Sequence, residues 1–231
     1  MKDNKTYTCG GLGDFFIISA KQKMKGIDLS EVDLLHTDQG QITHKDNIEY
    51  LAKYFFHYNS LTWSNEREQK ELIDYVTKAE DGYDNYDAVR NLFGTLDHHE
   101  EYIVIQSEAG TNSFSAHHTR TWNGIEINQL IDVFSKRIKI FVVGNNVGQI
   151  SSKNCTYIIN GNIMDAMNIV YNAKLFIGFD GFLSYIRSYT GKNQLVRLNK
   201  NYDVYYSKEQ KEFTLPFLET RDLLHLMKGI T

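Results

Sequence analysis

The stretch from residue 172 to residue 198 constrains the fold more than any other part of the sequence. Residues 174–178 form a short apolar run that ends in glycine, which predicts a buried strand. After a turn at residues 179–182, apolar side chains at helical spacing predict a helix from residue 183 to about residue 190. Residues 194–198 predict a second strand. A strand, a helix and a strand in so short a stretch form a βαβ unit, which by its handedness lies in a parallel sheet.

The loop inside this unit is the first candidate for a binding site. It contains Asp180 and Gly181 and leads through Phe182 and Leu183 into the predicted helix. The free N–H groups and the dipole at a helix start favour an anionic ligand, and parallel α/β sheets usually bind ligands at that edge. We therefore expect the function to depend on this loop.

The second half of the chain alternates strands and helices with short connections, as a doubly wound parallel sheet does. Its predicted strands are residues 102–106, 139–144, 156–159 and 202–206, and its predicted helices are residues 125–137, 163–173 and 218–228. Residues 95–101 are the predicted boundary, which divides the chain into domains of residues 1–97 and 98–231. The last helix is a candidate to cross back to the first domain.

The first half is shorter and less regular. Its predicted strands are residues 5–9 and 27–35, and its predicted helices are residues 15–24, 46–58, 66–79 and 84–92. The first of these helices is apolar almost all round at its start, which indicates burial. We expect a reduced α/β domain here.

Composition narrows the class of protein. The 231 residues include 25 Lys and Arg against 29 Asp and Glu, so no overall basic field exists to hold nucleic acid. No apolar run approaches the roughly 18 residues of a membrane-spanning helix, and the N-terminus lacks the apolar region of a signal peptide. Cys9 and Cys155 form no CxxC pair, which predicts a reducing compartment. We expect a cytoplasmic protein without membrane insertion.

A glycine-rich turn at residues 10–14 links the first predicted strand to the first predicted helix. Gly11 and Gly13 let the backbone turn tightly and let a ligand come close, although neither the dinucleotide fingerprint nor the GxxxxGK[ST] loop is present. Asp14 has two interpretations. It is either the N-cap of a structural turn or a general base beside a bound substrate, kept ionised by the helix dipole.

Three other polar groups also have a structural and a functional interpretation. Arg120 precedes a predicted helix and is either an exposed loop arginine or a group that reaches phosphates at the neighbouring loop. Residues 190–193 (TGKN) follow a helix, so they predict a helix C-cap and not a phosphate loop. The pairs His98-His99 and His117-His118 lack the i, i+4 spacing of helical metal ligands and predict solvated loops.

Several of these pieces resemble motifs of the heptosyltransferase-like glycosyltransferases, the ADP-heptose:lipopolysaccharide group, in the same order and at similar spacing. Residues 10–14 (GGLGD) look like the opening GGLGD of that family. Residues 172–180 (NAKLFIGFD) resemble its A-R-L-F-V-G-N-D signature. Further matches are the strand 102–106, the basic-x-Trp loop Arg120-Thr121-Trp122, the helix 125–134, the strand ending at Gly144 and the Gly-Lys of residues 190–192.

The resemblance implies a GT-B-like α/β fold, with two Rossmann-like domains whose parallel sheets face a cleft and with a reduced N-terminal domain. It implies inverting transfer of a hexosyl, heptosyl or pentosyl group from a nucleotide-sugar that the C-terminal domain holds. The nucleotide-sugar is a substrate, and no cofactor or metal is expected, because helix N-termini and basic side chains neutralise the pyrophosphate. The acceptor is expected to be a glycan, a small molecule or a modified nucleobase.

The same resemblance assigns roles to single residues. Asp14 matches the catalytic carboxylate of the family and would take the proton from the acceptor hydroxyl. Arg120 matches the residue that contacts phosphate, and Asp180 would order the donor loop or touch the sugar. The full set of donor and phosphate-binding candidates is Gly11, Gly13, Arg120, Gly144, Asp180, Gly181, Phe182 and Leu183.

The chain departs from the family pattern at the donor loop. Gly181-Phe182-Leu183 stands where the family has Ser/Thr-Gly-Pro, Tyr185 replaces a histidine, and Asn193 replaces a proline. Phe182 puts a bulky side chain where the phosphate approaches. Two alternatives to a transferase therefore stay open: a nucleotide- or sugar-binding module without catalysis, and a nucleotide-sugar epimerase or hydrolase.

Overall fold

The computed structural model describes residues 5–37, 44–64, 85–93, 100–109, 120–144, 150–159, 161–197, 206, 208–217 and 223. The chain divides into two compact units, one of residues 1–94 and 203–207 and one of residues 95–202 and 208–231. The first division, between residues 94 and 95, lies next to the boundary predicted between residues 97 and 98. No helix within the described ranges has the length and apolarity needed to cross a membrane.

The first unit contains a parallel sheet of three strands in the order β1-β2-β3. Its strands are β1 (Lys5–Cys9), β2 (Asp33–Thr37) and β3 (Ser60–Ser64), and its helices are α1 (Leu12–Met24), α2 (Lys45–Tyr50) and α3 (Asp87–Arg90). A 3-10 turn at Leu29–Glu31 precedes β2, and a π-helical turn at Leu51–Phe55 continues α2.

Aromatic packing fixes α1 against this sheet. Phe15 and Phe16 are fully buried, and their rings lie 5.7 and 5.6 Å from the ring of Phe56. Phe15 also meets the ring of His36 on β2 edge-on at 6.1 Å. Tilted and edge-on contacts of this kind are the favoured geometry of aromatic pairs. The start of α1 is thereby held at the carboxyl end of β1.

The second unit contains a parallel sheet of six strands in the order β6-β5-β4-β7-β8-β9. Its strands are β4 (Tyr102–Gln106), β5 (Lys139–Gly144), β6 (Thr156–Ile159), β7 (Leu175–Phe179), β8 (Gln194–Arg197) and β9 (Thr214–Phe217). Its helices are α4 (Gly124–Phe134), α5 (Ile163–Asn172), α6 (Phe182–Ser188) and α7 (Lys208–Lys211).

The strand order of the second unit is that of a Rossmann sheet. The chain builds β4, β5 and β6 outward in one direction and then returns to place β7, β8 and β9 on the other side of β4. The order therefore reverses between β4 and β7, and the loops after these strands separate there. In open α/β sheets, ligands bind in the crevice at this switch point.

Part of the predicted secondary structure is confirmed. The strands at residues 5–9, 102–106, 139–144 and 156–159 have the predicted bounds. The βαβ unit is also confirmed, with each of its elements displaced by one to two residues at its ends. The strands at residues 102–106 and 139–144 are largely buried, and a run of buried side chains leaves a clear apolar pattern.

Other predictions were wrong in detail. Residues 27–35 are not one strand, because a 3-10 turn capped by Asp28 precedes β2. The helix predicted over residues 46–58 ends at Tyr50 and continues as a π turn to Phe55. The strand β3, the strand β9 and the helix α7 were not predicted. The helix predicted at residues 66–79 and both histidine pairs lie outside the described residues. Of the strand predicted at residues 202–206 only Tyr206 is described, and it lies in a bend and not in a strand. Of the helix predicted at residues 218–228 only Leu223 is described, and it is helical.

Candidate functional site

The carboxyl ends of β4 and β7 are tied together by Gln106, the last residue of β4. Its side-chain Oε1 accepts the N–H of Phe179 at 3.3 Å, and its main-chain oxygen accepts the indole N–H of Trp122 at 2.7 Å. Gln106 is 6% exposed, so both bonds lie in the interior, where polar groups need partners. This one residue therefore fixes the edge of the sheet at the switch point. A polar residue at the end of an apolar strand was the sequence signal for it.

The loops that follow β4 and β7 lie in contact. A Cβ atom placed on Gly181 would lie 3.9 Å from the Cβ atom of Ala109. Ala109 in turn donates its N–H to the main-chain oxygen of Arg120 at 3.0 Å. Gly181, in the loop after β7, thus lies beside Ala109, which is bonded to Arg120 in the segment after β4. All three residues lie at the carboxyl edge of the sheet.

The side chain of Arg120 contains a buried hydrogen-bond donor. Its Nε atom is buried and, among the described residues, has no hydrogen-bond partner. A buried charged donor without an acceptor is costly. Glu108 and Thr121, which flank the contact with Ala109, form an antiparallel bridge that holds this segment in place. The main chain of Arg120 is therefore fixed beside the switch point, and the role of its guanidinium toward an anion stays a prediction.

Gly144, the last residue of β5, has a packing role. A Cβ atom on Gly144 would overlap the hydroxyl oxygen of Ser107, which follows β4. Ser107 is held there because its N–H donates to the main-chain oxygen of Val143 at 2.9 Å. Glycine is therefore required at this position by the neighbouring strand, and contact of Gly144 with a ligand stays a prediction.

The β7–α6 loop is ordered by its own hydrogen bonds. Asp180 is 3% exposed and donates its N–H to the main-chain oxygen of Arg197 at 3.2 Å. The N–H of Gly181 donates to Ser184 Oγ at 3.0 Å, and Ser184 Oγ donates to the oxygen of Gly181 at 2.8 Å. Phe182 is half-buried and Leu183 is buried. The loop is thus shaped before any ligand arrives, with the N–H of Gly181 already hydrogen-bonded within the chain.

Arg187 is a structural residue of this region that the sequence analysis missed. It is fully buried on α6, and its five N–H donors all reach main-chain oxygens at 3.0–3.2 Å. The acceptors are the oxygens of Val170, Tyr171, Lys174 and Asn193. Burial lowers the pKa of Arg187 to about 10. A single charged residue in a helix without other charges was the only sequence signal for this role.

Two further side chains bind the same end of α5. The hydroxyl of Tyr102 donates to the oxygen of Ile169 at 3.0 Å, and Lys192 Nζ donates to the oxygen of Tyr171 at 3.0 Å. Burial, and to a smaller extent the charge of Arg187, lowers the pKa of Lys192. Cations at the C-terminal end of a helix are stabilised by unpaired carbonyls and by the helix dipole. The segment 190–193 is therefore structural, as predicted.

The Gly10–Asp14 turn lies at the carboxyl edge of the first sheet. Helix α1 begins at Leu12, so Gly11 is the N-cap and Asp14 is the third helical residue, which corrects the prediction that Asp14 is the N-cap. Asp14 Oδ2 accepts the N–H of Gly11 at 2.9 Å. Gly10 has a φ of +81°, and a Cβ atom there would collide with the carboxylate of Asp14. Gly11 and Gly13 are half-buried.

The structure thus brings Arg120, Gly144 and the loop 180–183 to one edge of the second unit, while Gly11, Gly13 and Asp14 lie in the first unit. Their roles toward a ligand stay predictions. Within the ranges that the structure describes, no group of three or more His, Cys, Asp or Glu residues is placed to hold a metal ion.

No protein-family model matches the sequence, and no curated protein matches it. Solved structures do match the fold. The chain is similar to a family 9 glycosyl transferase from Veillonella parvula, with a TM-score of 0.59 and 10% identity over 97% of this chain and 88% of that one. It is also similar to the Escherichia coli heptosyltransferase WaaC with ADP, with a TM-score of 0.53 and 10% identity over 97% of this chain and 96% of that one.

A third similar structure is the iron-containing dodecameric glycosyltransferase TibC from enterotoxigenic E. coli, with a TM-score of 0.51 and 12% identity. Here the match covers 91% of this chain but 63% of the length of TibC. At identities of 10–12% such a likeness establishes the fold. The GT-B-like α/β fold that the sequence motifs implied is therefore confirmed.

Proposed function

We propose that this protein is a glycosyltransferase that moves a sugar from a nucleotide-sugar donor to an acceptor hydroxyl. The observation that carries the proposal is the switch point of the second sheet. There the main-chain oxygen of Arg120 binds Ala109, which lies beside Gly181, and the buried Nε of Arg120 has no partner among the described residues. An anionic ligand in such a crevice is the usual occupant of a Rossmann sheet. The similar fold of WaaC, which was solved with ADP, supports a nucleotide as that ligand.

In this proposal the second unit binds the donor diphosphate. The Arg120 guanidinium supplies positive charge and hydrogen bonds to a phosphate oxygen, for which its planar fork is suited. The donor loop leads into the first turn of α6, where the positive end of the helix dipole favours an anion. Asp180 orders the loop, and Gly144 lets Ser107 pack against the end of β5.

Asp14 is the proposed general base. It would accept the proton of the acceptor hydroxyl as that oxygen attacks the anomeric carbon, while the bond from that carbon to the diphosphate oxygen breaks. Attack from the side opposite the leaving group inverts the anomeric centre. The helix dipole at the start of α1 favours the ionised carboxylate that this role needs.

We further propose that the transfer needs no metal, because Arg120 and the N–H groups of α6 stabilise the leaving diphosphate in place of one. Full turnover in the presence of EDTA is the expected result. Loss of turnover that is restored by iron or magnesium would show that a metal takes part.

A second candidate function is a nucleotide- or sugar-binding module without catalysis. Two observations favour it. The N–H of Gly181 is already hydrogen-bonded to Ser184, and the first residue of the helix that would receive the phosphate is the bulky, half-buried Phe182. Such a module would bind the nucleotide-sugar and release it unchanged.

The test is a thermal-shift panel of ADP, GDP, UDP, CDP and dTDP and their sugar conjugates, without metal, on the wild type and on Arg120→Ala. Arg137→Ala is the matched control, because Arg137 is an exposed arginine beyond the far end of α4. One nucleotide should raise the midpoint of the wild type and of the control but not of Arg120→Ala. A wild type that responds to none of them would overturn the donor site.

The acceptor is then sought with the donor so identified. Glycans, small hydroxylated metabolites and modified nucleosides form the three arms of the screen, and release of free nucleoside diphosphate is the readout. Binding of the donor with no release in any arm would favour the module without catalysis.

A further inference from the structure

Three residues form a row at the carboxyl edge of the second sheet. Phe179, Arg197 and Phe217 are the last residues of β7, β8 and β9 and are paired with one another in register. Side chains of directly paired residues stand on the same face of a sheet. Arg197 therefore stands between two aromatic rings at the end of its strand.

Trp122 lies over this row. Its ring is 4.8 Å from the ring of Phe179 and is stacked on the ring of Phe217 at 5.8 Å with an interplanar angle of 10°. The guanidinium carbon of Arg197 lies 5.6 Å from the centre of the Trp122 ring. At this distance the positive charge of Arg197 is attracted by the Trp122 ring. The aromatic side chains around Arg197 therefore restrict where its guanidinium lies.

One such partner is Glu126, in the first turn of α4. Its Oε2 atom lies 3.6 Å from Nη1 of Arg197, and the two side chains are 21% and 19% exposed. The same Oε2 accepts the N–H of Asn123 at 3.0 Å, and Asn123 Oδ1 accepts the N–H of Glu126 at 2.9 Å. Glu126 is thus held by the start of its own helix. At 3.6 Å its contact with Arg197 is an ion pair longer than a hydrogen bond.

Arg197 is also joined to the proposed donor loop. Its main-chain oxygen accepts the N–H of Asp180, which directly precedes Gly181. The Trp122 indole, which Arg197 contacts, donates to the main-chain oxygen of Gln106 and follows Arg120 by two residues. Arg197 therefore belongs to the same carboxyl edge of the sheet as the segment that carries Arg120.

We propose that Arg197 is a second phosphate-binding residue of this site and that Glu126 competes with the ligand for its guanidinium. The inference rests on the proposed function, since it concerns the same diphosphate. A diphosphate has more negative charge than one arginine neutralises, and a pre-oriented guanidinium loses little freedom when it binds. Without ligand, Glu126 balances the charge of Arg197, and with ligand a phosphate oxygen takes that place.

The experiment is calorimetric titration with the nucleoside diphosphate that gives the largest thermal shift of the five tested, with its monophosphate and with the bare nucleoside. The variants are Arg197→Gln, Glu126→Gln and the exposed control Arg137→Gln. In Glu126→Gln the amide oxygen can still accept the N–H of Asn123, so the start of α4 is kept while the charge is removed. Thermal unfolding checks that each variant is folded.

Opposite effects of the two variants are the expected result. Arg197→Gln should weaken binding of the diphosphate by roughly tenfold and leave the nucleoside unaffected, because one charge-assisted hydrogen bond to phosphate is lost. Glu126→Gln should strengthen binding of the diphosphate by about threefold, because the competing carboxylate is gone. The control should match the wild type. Should Arg197→Gln not fold, Arg197→Lys, which keeps the charge but loses the fork, should give a smaller loss.

Other outcomes would overturn the inference. Equal weakening by Arg197→Gln and Glu126→Gln would show that their ion pair only joins β8 to α4. Normal binding by Arg197→Gln, with Arg120→Ala still impaired, would remove Arg197 and keep the proposed donor site. A wild type that binds no nucleoside diphosphate would remove both.

Discussion

Asp14 Oδ2 accepts the main-chain N–H of Gly11 at 2.9 Å, so the residue proposed as the general base also caps helix α1. An asparagine can accept the same hydrogen bond but cannot take a proton. We expect Asp14→Asn to leave the unfolding midpoint nearly unchanged and to lower kcat by roughly 100-fold or more. Steady-state kinetics and a thermal scan on one preparation measure both. A variant with the kcat of the wild type would show that Asp14 is only a cap.

Asp14→Ala is the companion variant, because it removes the cap and the carboxylate together. We expect it to lose activity to the same extent as Asp14→Asn and, in addition, about 1 kcal/mol of stability. The difference between the two variants in urea unfolding isolates the cap.

Two glycines with similar backbone angles form a matched pair for the turn. Gly10 has a φ of +81° and Gly26 a φ of +75°, but a Cβ atom on Gly10 would collide with Asp14 whereas one on Gly26 meets nothing within 4 Å. We expect Gly26→Ala to cost about 1 kcal/mol from backbone strain alone. Gly10→Ala should cost more, roughly 2–3 kcal/mol, and should also lower kcat because the carboxylate is displaced. Equal losses in urea unfolding would contradict the steric role of Gly10.

The buried Arg187 predicts a large effect on stability. Arg187→Met leaves the oxygens of Val170, Tyr171, Lys174 and Asn193 without this donor, and we expect a loss of roughly 3 kcal/mol or more. Arg187→Lys keeps the charge with three donors instead of five and should lose less. Arg137→Met at the exposed control position should be nearly neutral. If the Arg187 and Arg137 variants unfolded at the same urea concentration, the network would contribute nothing.

The phenol of Tyr102 predicts a pH dependence. Burial raises its pKa to about 12, whereas a tyrosine in an unfolded chain has a pKa of about 10. The folded state therefore favours the protonated phenol, and this contribution to stability is complete below about pH 10 and is lost as the pH rises from about 10 to about 12. Tyr102→Phe lacks the ionisable group, so its free energy of unfolding should fall less steeply over this range. Urea unfolding at several alkaline pH values measures the two slopes, and identical slopes would contradict the prediction.

Strands buried on both faces could be predicted from the sequence to the residue. Residues 102–106 and 139–144 are runs of apolar side chains, and a local pattern of that kind reflects burial directly. No residue of β3 is buried and only the two end residues of β9 are, so neither strand leaves a run of buried apolar side chains. Pro216 argues against a strand when the sequence is considered alone. The structure places it in β9, an edge strand of the sheet, where proline is tolerated.

The sequence by itself determined the βαβ unit, the parallel sheet around it and the colinear motifs that pointed to a GT-B-like fold, because each of these depends on residues that are close in the chain. Only the tertiary structure decided the strand order that puts the switch point between β4 and β7. Only the tertiary structure showed that Arg197 contacts Trp122 and that Arg187 donates to main-chain oxygens of distant residues. It also showed that a side chain at position 144 would overlap Ser107. These are contacts between residues far apart in sequence, and no local spacing records which distant side chains meet.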